Sequence, residues 1–62
     1  MEIVFTVTQE ADGGFVAECL SHDIFTQGDS WEALRVNAQE AASAFFFDGL
    51  RKLNLYFLTA AR

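Results

Sequence analysis

The sequence predicts a small α+β domain, a two-layer β-β-β-α-β unit with one helix packed on a mixed sheet. Three observations carry that expectation. The N-terminal segment alternates β-branched and aromatic residues with a period of two, the middle segment repeats its apolar residues with the helical period, and the last segment alternates again. At 62 residues the chain is too short for two ordinary domains, so residues 1–62 are read as one.

The first strand spans residues 2 to 8, with Ile3, Phe5 and Val7 on one face of the pleat and Val4, Thr6 and Thr8 on the other. Residues 9 to 14 are polar and end in Asp12-Gly13-Gly14, which supplies the positive backbone angles of a hairpin connection. A second strand runs from Phe15 to about Leu20, Ser21-His22-Asp23 interrupts it, and Ile24 to Gln27 forms a short third strand stopped by Gly28-Asp29. Asp29 and Glu32 have capping-box spacing, and Ser30 is the alternative N-cap. A helix over about 30 to 48 places Trp31, Leu34, Ala38, Ala41, Ala42 and Phe45 on one stripe, with Glu32, Gln39, Glu40 and Ser43 away from it. Gly49 is its C-cap candidate. A fourth strand follows, alternating Leu53, Leu55 and Phe57 against Asn54, Tyr56 and Leu58. A right-handed crossover through the helix sets it parallel to the first strand, in sheet order 3-2-1-4, with exchange of this strand between copies left open.

One helix covers one face of such a sheet, yet both faces carry large apolar groups: Ile3, Phe5 and Val7 on one, and Val4, Val16 or Phe15, and Leu58 on the other. Phe47 points roughly opposite the Leu34 stripe and Phe46 sits at its edge. These two rings either pack under the return loop or form a seam with another chain. The composition favours the seam, because 52% hydrophobic and 15% aromatic is rich for so small a chain. The usual staples are also missing, since one cysteine and one histidine make neither an internal disulfide nor a zinc site. Val4, Val16, Phe46, Phe47 and Tyr56 are the candidate interface residues, for a second copy or for another partner.

Four Lys+Arg against nine Asp+Glu give a net charge of −5, which argues against a nucleic-acid backbone or an anionic membrane as the main partner and suits a basic protein. No signal peptide and no membrane span is read from the sequence, and a reduced thiol in the cytoplasm is expected. Catalysis, cofactors and metals are not expected. Ser21-His22-Asp23 has the residue types of a hydrolase triad, but contiguous residues in extended chain point to opposite sides, and a polar surface turn with an exposed His22 is the simpler reading. Cys19 reads as a small buried hydrophobe, and the carboxylates as a solvated surface. Asp12-Gly13-Gly14 opens a strand and lacks a following lysine, so it is no phosphate loop.

Asp12-Gly13-Gly14-Phe15-Val16-Ala17, then Phe25-Thr26-Gln27-Gly28-Asp29-Ser30, then Glu32-Ala33, resembles the HicB-like antitoxin family over about residues 1 to 48. That resemblance implies a degraded ribonuclease-H-like fold without catalytic carboxylates, acting as a non-catalytic antitoxin domain against a small basic ribonuclease toxin. The family's usual Pro-x-Leu-Pro-Gly loop is here Leu20-Ser21-His22-Asp23, and with Arg62 as the last residue no DNA-binding domain, and so no operator binding, is expected. The alternative is an orphan small-molecule or nucleic-acid binding domain that uses the apolar sheet face, and a residual ribonuclease comes last.

Overall fold

The computed structural model describes residues 1–46 and 53–59. They form β1 (Glu2–Gln9), β2 (Phe15–Cys19), β3 (Phe25–Gly28), the helix α1 (Trp31–Phe46) and β4 (Asn54–Thr59). The sheet order is β3-β2-β1-β4, antiparallel between β3, β2 and β1 and parallel between β1 and β4. This is the α+β fold, mixed sheet and strand order that the sequence predicts. The second strand ends one residue earlier than expected, and the third and fourth each begin and end one residue later.

The β1–β2 connection is closed by backbone. The Glu10 N–H donates to the Gly14 carbonyl at 2.7 Å and the Gly13 N–H to the Glu10 carbonyl at 2.9 Å. Asp12 Oδ1 accepts from the Gly14 N–H at 3.0 Å. Gly13 sits at φ 97°, a conformation that a side chain would strain, which is why this position is glycine. At the start of α1 the Ser30 hydroxyl accepts the Ala33 N–H at 3.1 Å. Ser30, the alternative to the capping-box spacing at Asp29, is therefore the N-cap.

β3 and α1 meet through Gly28. A Cβ built there would lie 2.5 Å from the Leu34 nitrogen and 2.8 Å from its Cα, so the strand backbone touches the helix where no side chain fits. Asn37 holds the same contact from the helix, its Nδ2 donating to the Gln27 carbonyl at 2.7 Å. The helix thus leans toward the β3 side of the sheet.

The core lies between α1 and one sheet face. Ile3, Phe5, Val7, Ala17, Cys19, Ile24, Leu34, Ala38 and Ala42 are buried. Leu34, Ala38 and Ala42 are on the expected stripe, and the two alanines let the helix approach closely. Phe45 is not part of the core: it is exposed, while Phe46 is half-buried and packs against the core. The stripe drifts because each of its i+4 steps carries about 40° past a full turn, so by the helix end Phe46 faces inward in place of Phe45. Phe15 also lies on the helix side, where its ring meets Trp31 edge-on, and Trp31 meets Phe57 in the same way. Phe57 stacks on Phe5 at 5.6 Å. The Phe47 interface candidate and the Gly49 C-cap candidate lie outside the described residues.

Candidate interaction surface

The face of the sheet turned away from α1 is uncovered by any described element. Strand pairing puts Val4 beside Tyr56, Thr6 between Glu18 and Leu58, Glu18 beside Phe25, and Val16 between Thr8 and Gln27. The Leu20 N–H donates to the Val4 carbonyl at 3.1 Å, which extends the ladder and sets Leu20 next to Val4. Leu20 is 63% exposed, Phe25 62%, Leu58 54% and Tyr56 46%. Large apolar groups at such exposure on adjoining strands make a contiguous patch of the kind that marks an interaction surface. Glu18 is charged and stands among threonine and apolar neighbours on that face, and Glu2 borders the patch beyond Val4.

The Ser21-His22-Asp23 segment has a defined geometry of its own. The Ile24 N–H donates to the His22 carbonyl at 2.8 Å, a three-residue turn centred on Asp23, and the Cys19 N–H donates to the Ile24 carbonyl at 2.9 Å. The expected exposed histidine is instead half-buried, with its ring edge-on to Phe46 at 4.9 Å and to Phe45 at 5.7 Å. The two phenylalanines at the helix end lie above the turn, and they draw the imidazole off the surface. Ser21 Oγ is 3.0 Å from His22 Nδ1, and the buried Cys19 sulfur is 4.0 Å from both. A hydrolase triad needs aspartate on Nδ1 and serine on the other ring nitrogen. Here serine occupies Nδ1, and the exposed Asp23 takes no part in these contacts.

Among the described residues no three His, Cys, Asp or Glu side chains group in a way that could hold a metal ion, and no helix is long and apolar enough to cross a membrane. A groove of about 760 Å³ runs between α1 and β4, with Leu55 and Phe57 as its floor and Glu32, Arg35 and Val36 on its helix wall.

A UPF0150 protein of Thermotoga maritima is 39% identical over 51 residues, which span 82% of this chain and 73% of the relative. This chain belongs to the UPF0150 family. A UPF0150 protein of Archaeoglobus fulgidus is also 39% identical, over 49 residues spanning 79% of this chain and 73% of that relative. No family model and no solved structure matches the chain.

On this UPF0150 chain, three of the five candidate interface residues share the open sheet face: Val4 and Val16, both half-buried, and the exposed Tyr56. Phe46 lies on the opposite side, against the core and His22. The candidate set lacks Leu20 and Phe25, the two most exposed members of the patch. For Leu20 the signal was parity, since it follows Val16 and Glu18 at steps of two, whereas Phe25 is placed on the face by its pairing with Glu18.

Proposed function

We propose that this UPF0150 chain is a non-catalytic protein-interaction module of the HicB-like antitoxin type, which self-associates and neutralises a small basic ribonuclease toxin in the cytoplasm. The observation that carries this reading is the open sheet face, an apolar patch with Glu18 at its centre on a chain of net charge −5. All eight acidic side chains among the described residues are exposed. An apolar patch set in an acidic surface fits a basic protein, since apolar burial supplies affinity and opposite charge speeds encounter. The same acidity opposes a nucleic-acid backbone on this face.

The test is affinity capture from the native cell with the full chain as bait, followed by mass spectrometry, alongside the same bait carrying Phe25→Asp. A small basic protein with ribonuclease activity that is retained by the wild type, lost with Phe25→Asp and inhibited on rebinding supports the proposal. Capture of no such protein, or equal capture by both baits, overturns it.

A further inference from the structure

Among the described residues, β4 presents an open edge. The Asn54 N–H donates to the Met1 carbonyl at 2.8 Å, so Asn54, and by alternation Tyr56 and Leu58, turn their backbone groups toward β1. The N–H and C=O groups of Leu55, Phe57 and Thr59 then point outward, where no described strand pairs with them. The opposite edge of the sheet is treated differently: β3 is only Phe25–Gly28, the helix lies against it, and the Gln27 carbonyl is taken by Asn37. Sheets blunt their edges with short strands, proline, charge or a covering element. β4 has no charged residue and no proline over Asn54–Thr59, and it is flanked on one face by exposed Tyr56 and Leu58 and on the other by half-buried Leu55 and Phe57.

From this we infer that β4 is a self-pairing edge: a second copy of the chain sets its own β4 antiparallel to the first, about a two-fold axis perpendicular to the sheet at Phe57, and the two sheets become one.

The register follows from parity. A perpendicular two-fold keeps each copy's helix on the same side and pairs only residues of the same face, so Phe57 meets Phe57, Leu55 meets Thr59 and Tyr56 meets Leu58. Phe57 with its counterpart, and Leu55 with Thr59, are then hydrogen-bonded pairs that use every outward backbone group of the strand. Leu58 and Tyr56 become close neighbours on the open face, and the helix-side grooves of the two copies join, which covers Val36, 58% exposed at the rim. Given self-association, charge favours this edge over the open face: two chains of net charge −5 repel, β4 itself carries no acid, and in the groove beside it Glu32 and Glu40 are accompanied by Arg35. Stacking open face on open face would instead bring Glu18 of each copy toward the other.

The inference rests on the self-association proposed above and specifies its geometry. The test is sedimentation of the full chain as wild type, Thr59→Pro and Phe25→Asp. Thr59→Pro removes one outward N–H and leaves the β1 ladder intact, so it is expected to weaken dimerisation about tenfold or more with an unchanged far-ultraviolet spectrum. Phe25→Asp, at the far side of the open face, is expected to stay within about twofold of wild type, since a change remote from an interface leaves its affinity nearly untouched. In parallel, Leu55→Cys with Thr59→Cys is expected to give a covalent dimer on mild oxidation, because a hydrogen-bonded antiparallel pair sets its Cα atoms about 5.5 Å apart, within disulfide reach. A dimer that survives Thr59→Pro but not Phe25→Asp, or a paired-cysteine chain that does not cross-link, overturns the edge geometry and leaves self-association standing. A wild type that is monomeric at every concentration overturns both.

Discussion

A methyl group added at Gly28 enters the helix backbone, where it would stand 2.5 Å from the Leu34 nitrogen and 2.9 Å from the Ala33 carbonyl carbon. Neither atom belongs to a flexible side chain, so β3 and α1 must separate. Gly28→Ala is expected to destabilise the chain by about 1–3 kcal/mol, the range for an overpacked contact. Gly13→Ala provides the contrast: nothing lies within 4 Å of its Cβ position, and its cost, about 1 kcal/mol, is that of a positive φ alone. Urea unfolding of the two variants separates steric from conformational cost, and equal losses would contradict the close approach at Gly28. His22→Ala removes an imidazole packed edge-on against two phenylalanine rings and is expected to cost about 1 kcal/mol, the scale of aromatic pairing. We propose that it leaves partner binding unchanged, because His22 lies on the helix side of the molecule; loss of partner capture at unchanged stability would assign the histidine a role at a binding surface.

Among the elements, α1 depends most on one residue. Leu34 is completely buried, and the other fully buried side chains of the helix, Ala38 and Ala42, are small, so Leu34→Ala leaves a cavity that they cannot fill. A loss of about 2–5 kcal/mol is expected, comparable with the whole stability of a core this small. Ser30→Ala, which removes the cap, should cost about 1 kcal/mol. Circular dichroism during thermal melting checks both, and a Leu34→Ala chain as stable as Ser30→Ala would contradict the packing described. The elements themselves were legible because each rests on a local signal: alternation in β1 and β4, Asp12-Gly13-Gly14 at the first turn, and the Leu34-Ala38-Ala42 stripe. The ends of the helix stripe were less legible. Whether Phe45 or Phe46 turns inward depends on the rotation accumulated over three i+4 steps and on His22, a partner 24 residues away in the chain. The open face was half legible for a similar reason: alternation assigns Val4 and Tyr56 to it, whereas Phe25 joins it only through the β2–β3 register.

At the scale of the whole molecule, folding and association draw on the same small reserve of free energy. A standard interface buries roughly 800 Å² on each partner, and even its apolar part, at about 25 cal/mol per Å², rivals the few kcal/mol that a core of this size supplies. If the chain self-associates as proposed, its melting temperature must rise with protein concentration. Scanning calorimetry across a hundredfold range of about 5 to 500 μM is the check. A melting temperature independent of concentration, with full folding throughout, would show that the core suffices alone. The pairing of β1 with β4 also has a consequence in time. The residues from Gln9 to Asn54, about 45 of them, take roughly 2–9 seconds to synthesise at ordinary rates, and for that interval the β1 edge that will receive β4 has no partner. Until β4 docks, that vacant edge can equally receive the β4 of a second copy, an exchange of identical elements between chains. The yield of correctly closed protein on refolding should then fall as the chain concentration rises, and dilution should restore it.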